Sequence, residues 1–83
     1  MSLEYYKKQM VDLRARLQKE KDAKKKDNEY YARMVKSAST PSGKASYRKS
    51  KIDRAAYHDR QIESIKRSIE TCKDNIARER KRK

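Results

Sequence analysis

Apolar residues recur along the first part of the chain at alternating steps of three and four: Leu3, Tyr6, Met10, Leu13 and Leu17, with Tyr31 and Met34 in the same phase. That spacing returns each side chain to one face and predicts a single helix carrying a heptad stripe. Between Leu17 and Tyr31 the in-phase positions are Glu20, Lys24 and Asp27, so the stripe turns polar for about two helical turns. Ser2 is placed to cap the helix start, with Glu4 favourably set against the positive helix end.

A second stripe is as regular as the first: Ile62, Ile65, Ile69, Cys72 and Ile76, preceded in phase by Ala55 and His58. The Ser-rich segment Ser37-Ala38-Ser39-Thr40-Pro41-Ser42-Gly43 separates the two and holds the only Pro and the only Gly. Thr40 followed by Pro41 suits an N-cap followed by the first helical position, where proline's fixed backbone angle fits and its missing amide proton costs nothing. The chain therefore reads as helix 3–37, turn 38–40 and helix 41–80, each helix on the order of 50 Å long at ~1.5 Å per residue.

Folding about that turn makes facing residue numbers sum to roughly 80. Leu17 then meets Ile65, Leu13 meets Ile69, Met10 meets Cys72, and Tyr6 meets Ile76. The fold class expected is all-α: an antiparallel two-helix coiled-coil hairpin, forming a single domain. Its packing residues are Tyr6, Met10, Leu13, Leu17, Ile62, Ile65, Ile69, Cys72 and Ile76. Glu20, Asp27 and His58 make a polar layer that sets register. Outward pairs four apart, Asp12/Arg16, Glu20/Lys24, Asp22/Lys26, Glu63/Arg67 and Asp74/Arg78, are ordered to support the helices. Tyr5, Val11, Tyr30, Val35, Ile52 and Tyr57 fall off the seam and are expected to offer a second contact stripe. Two or more hairpins are expected to associate, or one hairpin to dock within a larger protein.

Composition sharpens this picture. The 83 residues are 45% charged and 34% hydrophobic with no Trp and no Phe, too little bulky apolar material to wall an active-site pocket. The reading is non-enzymatic, with no catalytic, cofactor or metal residues. Lys and Arg number 25 against 12 Asp and Glu, a net charge of +13. Such a chain meets polyanions through a long-range, salt-screened attraction that carries no sequence information, so nucleic-acid contact is expected to be non-specific. One Cys excludes an internal disulfide framework and fits a reducing compartment. No apolar run suits a signal peptide or a membrane span, and the protein is expected in the cytoplasm.

His58 has Asp27, Glu20 and Asp59 within reach, yet no second His or Cys adds ligands and no nucleophile stands nearby. It reads as a seam histidine paired to a carboxylate, which would make assembly weaken as pH crosses its pKa. Cys72 reads as a small core hydrophobe rather than a redox group. The six tyrosines interleave with Lys and Arg as in single-strand nucleic-acid binders, but the pairs Tyr5-Tyr6 and Tyr30-Tyr31 put one member in the seam, which packing explains better. The run Lys24-Lys25-Lys26 and the terminal Arg-Lys cluster read as solvated helix surface. The ending Arg-Glu-Arg-Lys-Arg-Lys, without a capping Gly or Asn, suggests the amino-terminal part of a longer protein.

The opening Ser2-Leu3-Glu4-Tyr5-Tyr6 with Leu13 and Leu17, the segment Ser37 to Ser42 followed by Ser46 and Lys51-Ile52-Asp53-Arg54, and the Ile62/Ile65/Ile69/Ile76 helix resemble the amino-terminal coiled-coil region ahead of bacterial TIR (toll/interleukin-1 receptor) domains. The resemblance covers nearly the whole chain. It implies a segment for self-association in defence signalling. The NAD-cleaving domain of such proteins is not matched, so no catalytic residue carries over. A second resemblance is to the small helical-hairpin partners of type VII secretion, on length and on Gly43-x-Ala45-x-Tyr47. There Pro41 stands where that family has its tryptophan, no Tyr-x-x-x-Asp/Glu export signal follows, and the chain is more basic than expected. The function expected is protein interaction and oligomerisation, with a copy of itself or a partner helical protein. A type VII secretion partner or chaperone and a basic nucleic-acid binder are the alternatives.

Overall fold

The structure, a computed structural model, describes residues 2–82, without the side chain of Ser2. It contains two helices, α1 (Ser2–Ser37) and α2 (Pro41–Lys81), and among the described residues no strand. They pack along their length as a hairpin with extents of 66 × 14 × 11 Å. The expected cap at Ser2 falls on a side chain outside the described residues.

The turn forms for local reasons. α1 ends with the Ala38 amide donating to the Met34 carbonyl at 3.0 Å. Thr40 then leaves helical geometry (φ −120°, ψ 150°), and its hydroxyl accepts from the Gly43 amide at 3.0 Å while Pro41 takes the first helical position. The cap satisfies one of the amides that every helix start leaves free. A side chain at position 43 would crowd it, since a Cβ there would lie 3.0 Å from the Thr40 hydroxyl and 3.5 Å from the Ala38 methyl. At the other end, α2 closes without a left-handed cap: Arg82 stays helical (φ −68°, ψ −16°) and its amide donates to the Arg78 carbonyl at 3.2 Å.

Cross-helix contacts define the register. The Cys72 thiol donates to the Tyr6 carbonyl at 3.1 Å, and His58 reaches Glu20 and Asp27. The apolar core is thin, comprising Met10, Ile69 and Cys72, with Tyr6, Leu13, Leu17, Ile65 and Ile76 half-buried against them. Ile62 is half-buried outside that cluster. Toward the turn, Tyr47 is half-buried while Arg48, one residue on and in phase with Ala55 and Ile62, is exposed.

Two expectations are corrected. None of the five ordered pairs four apart forms a salt bridge. Glu20 and Lys24 reach across to α2 instead, Glu20 to the buried His58, a less solvated contact, and Lys24 to the exposed Asp59, and Asp22 accepts from Gln18 at 3.0 Å. The off-seam apolar residues also make no second stripe: Tyr5, Val11, Tyr30, Ile52 and Tyr57 are exposed and Val35 is half-buried. Six residues put Tyr5 and Val11 about 120° apart around α1, and five put Ile52 and Tyr57 about 140° apart around α2. No helix among the described residues is long and apolar enough to cross a membrane.

Candidate functional site

Two features stand out on the hairpin: a polar layer midway along the seam, and a seam left open along one edge.

The polar layer is centred on His58, 4% exposed. Its Nδ1 lies 2.6 Å from Glu20 Oε1 and its Nε2 lies 2.5 Å from Asp27 Oδ2. An ionised carboxylate only accepts hydrogen bonds, so both ring nitrogens must donate and the ring is held as an imidazolium. The hydrogen bond to Asp27, and then that to Glu20, push the His58 pKa above its ordinary value, with burial opposing. The His58 hydrogen bond in turn pulls the Asp27 carboxyl below the usual carboxylate range, assisted by Arg54 and opposed by desolvation. Arg54 donates to Asp27 Oδ2 through Nε at 3.1 Å, with Nη2 at 3.0 Å. Lys24 Nζ reaches Asp59 Oδ1 at 2.5 Å. Three cations thus face three carboxylates. Tyr57 edges onto the imidazole, ring centroids 5.5 Å apart, and the Arg54 guanidinium lies over the Tyr57 ring at 5.5 Å.

Among the described residues no group of three or more His, Cys, Asp or Glu is arranged to hold a metal ion. Here the ring itself lies between the two carboxylates and satisfies both. The layer stores charge complementarity that only the antiparallel register can complete, because each ion pair spans the two helices. Glu20, Asp27 and His58 follow from the stripe positions. Lys24 is likewise in phase and Asp59 adjoins His58, but their pairing with each other, and the membership of Arg54, escape sequence reasoning, since long or off-stripe side chains choose partners by reach rather than by phase.

The seam edges differ chemically. Of the nine seam residues, only Met10, Ile69 and Cys72 are buried, while Tyr6, Leu13, Leu17, Ile62, Ile65 and Ile76 stay partly open. On one edge, Gln9, Ser64, Ser68, Thr71 and Asn75, with the charged Asp12, Arg16 and Arg67, border an open groove of about 560 Å³ over Leu13 and the buried Cys72, and an adjoining groove over Leu13 and Ile65 adds Lys19 and Glu20. The other edge holds the positions four residues past Leu3, Met10 and Leu17 and past Ile62, Ile69 and Ile76. Those are Lys7, Arg14, Lys21, Lys66, Lys73 and Arg80, all basic and all exposed. Neither groove includes any of them.

No protein-family model, curated protein or solved structure matches this chain.

Proposed function

We propose that the chain is a non-enzymatic association module in which a second copy of the hairpin covers the open edge of the seam. The supporting observation is the incomplete core: six of nine seam residues stay partly open, and two open grooves run along Leu13 and Ile65 on one edge of the seam. Covering that edge buries apolar surface that two helices alone leave wet. The opposite edge, basic on both helices, repels a second copy, whereas the groove edge carries both signs, Asp12 and Glu20 beside Arg16, Lys19 and Arg67, so it is the edge on which copies of a +13 chain meet.

Association of this kind raises the effective concentration of whatever is fused or bound to each copy. That agrees with what the resemblance to the coiled-coil region ahead of bacterial TIR domains implies. Sedimentation velocity from 1 to 100 µM tests the reading. A shift from monomer to a discrete oligomer that Leu17→Asp abolishes supports it. A fully helical monomer across the whole range overturns it.

A further inference from the structure

Around the turn, from Tyr30 to Ile52, the chain holds Arg33, Lys36, Lys44, Arg48, Lys49 and Lys51 and no acidic residue, although the whole sequence has 12. Arg33, Lys36, Arg48 and Lys49 are exposed, Lys44 and Lys51 half-buried. None of the six forms an ion pair among the described residues. Arg33 and Lys36 lie near the end of α1, where cations suit the negative pole of the helix. Of the other four, Lys44 ends the first turn of α2, where the pole is positive and no acidic residue stands, and Arg48, Lys49 and Lys51 follow over the next two turns. Lys44 and Arg48 are four apart, Arg48 and Lys51 three apart, so like charges also neighbour each other on the helix surface. Like charges at these spacings oppose the helix, and no ion pair among the described residues offsets them. A cluster of one sign without internal partners marks a surface suited to a partner of opposite charge.

The partner's chemistry follows from what accompanies the charge. Ser39, Thr40 and Ser42 at the turn are exposed hydroxyl residues, suited to phosphate oxygens. Ser39 to Gly43 carry no bulky apolar side chain to enter a lipid headgroup layer, and the exposed Ile52 lies about 14 Å farther along α2. Tyr31 and Tyr47 are half-buried and Tyr30 is engaged edge-to-face with Tyr31, ring centroids 5.0 Å apart, so only Tyr30 is open and the tyrosines form no continuous platform for stacking unpaired bases. We propose that the turn end of the hairpin, through Lys44, Arg48, Lys49 and Lys51 with Arg33 and Lys36, docks on the phosphate backbone of a nucleic-acid duplex and reads charge rather than sequence. This does not rest on the association reading, and a monomeric hairpin carries the whole surface.

The test is fluorescence anisotropy with a labelled DNA duplex of about 20 base pairs at near-physiological salt, comparing two variants of the full chain with equal net charge. One carries Lys44→Gln, Arg48→Gln, Lys49→Gln and Lys51→Gln. The other carries Lys7→Gln, Arg14→Gln, Lys66→Gln and Lys73→Gln on the basic seam edge. Gln is a good helix former, so both keep the fold. The turn variant is expected to lose affinity roughly tenfold or more and to flatten the log-log salt dependence by about 3 to 4, at ~0.9 per phosphate contact. The seam-edge variant is expected to stay near the unmodified chain. Without DNA, the turn variant is expected to melt at or above the unmodified chain, because it removes like charges three and four residues apart on the helix surface. Equal losses in the two variants, no duplex binding by the unmodified chain, a lower melting temperature of the turn variant, or turn-dependent binding to phosphatidylserine vesicles alone would each overturn the proposal.

Discussion

Ile69 and Ile52 lie on the same helix, yet Ile69 is 8% exposed against the core and Ile52 is 68% exposed. Replacing each by Ala removes the same atoms from opposite environments. At Ile69 three buried carbons contribute about 2.4 kcal/mol, at ~0.8 kcal/mol per carbon. The better helix propensity of Ala returns about 0.4 kcal/mol, and the open seam lets neighbours settle into part of the void, so the net loss is about 2 kcal/mol. At Ile52 only about a third of that apolar area is shielded, the propensity gain offsets half of it, and the net change stays within about 0.5 kcal/mol. Urea unfolding followed by circular dichroism at 222 nm, at one low protein concentration, measures both. For a chain of 83 residues, with total stability of about 4 to 12 kcal/mol, the larger shift is easily resolved. Equal losses at the two positions, or the greater loss at Ile52, would refute the assignment of seam and outer surface.

Further expectations follow from the polar layer, the cap and the thiol. His58 has a raised pKa in the folded chain, so its contribution is full below the unfolded value of about 6.5 and is lost as pH rises through the folded pKa. Asp27 is the opposite case: its lowered pKa gives stability present above about 3.8 and lost as pH falls through the depressed value. Melting temperature plotted against pH should therefore decline on its alkaline side more steeply than in His58→Gln, and matching alkaline limbs would contradict the bridged imidazolium. Thr40→Ala removes the hydroxyl that accepts from Gly43 and should destabilise the hairpin by about 1 kcal/mol in the same urea assay. The Cys72 thiol, 3% exposed and donating to the Tyr6 carbonyl, should react with a water-soluble aromatic disulfide at least about tenfold more slowly in buffer than in concentrated urea.

The hairpin is legible in the sequence because turn chemistry and periodicity agree without depending on each other. Thr40-Pro41 marks where α2 starts, and Leu13, Leu17, Ile65 and Ile69 recur with a spacing only a helix face satisfies. The core of the polar layer, with His58 paired to a carboxylate, follows from the interruption of the stripes at Glu20, Asp27 and His58, but the partners of the surrounding lysine and arginine do not. Glu20 has Lys24 four residues on, a favourable partner in an isolated helix, yet turns to His58 because the seam offers a shielded cation. Lys24 then reaches Asp59, and Arg54 joins Asp27. Tyr47 is missed for a different reason. Near the turn, burial moves off the phase set by Ala55 and His58, and a short segment flanked by Gly43 gives no periodic signal to show the shift. Tyr5 and Val11 on α1, and Ile52 and Tyr57 on α2, do not join in a second stripe because their spacings of six and five return no common face.

Whether the two stripes close on each other within one chain is best measured as a distance. With Cys72→Ser to remove the native thiol, spin labels at Lys8→Cys and Asp74→Cys would sit on exposed positions of opposite helices near the open end. Excess unlabelled protein confines the signal to single chains. Helix axes about 8–10 Å apart, with flexible label arms, give a narrow distribution near 20 Å. A continuous helix would separate the same sites by about 100 Å. The account predicts the short, narrow distance at every dilution. A long or broad distribution, or a short one that vanishes as unlabelled chain is added, would contradict it.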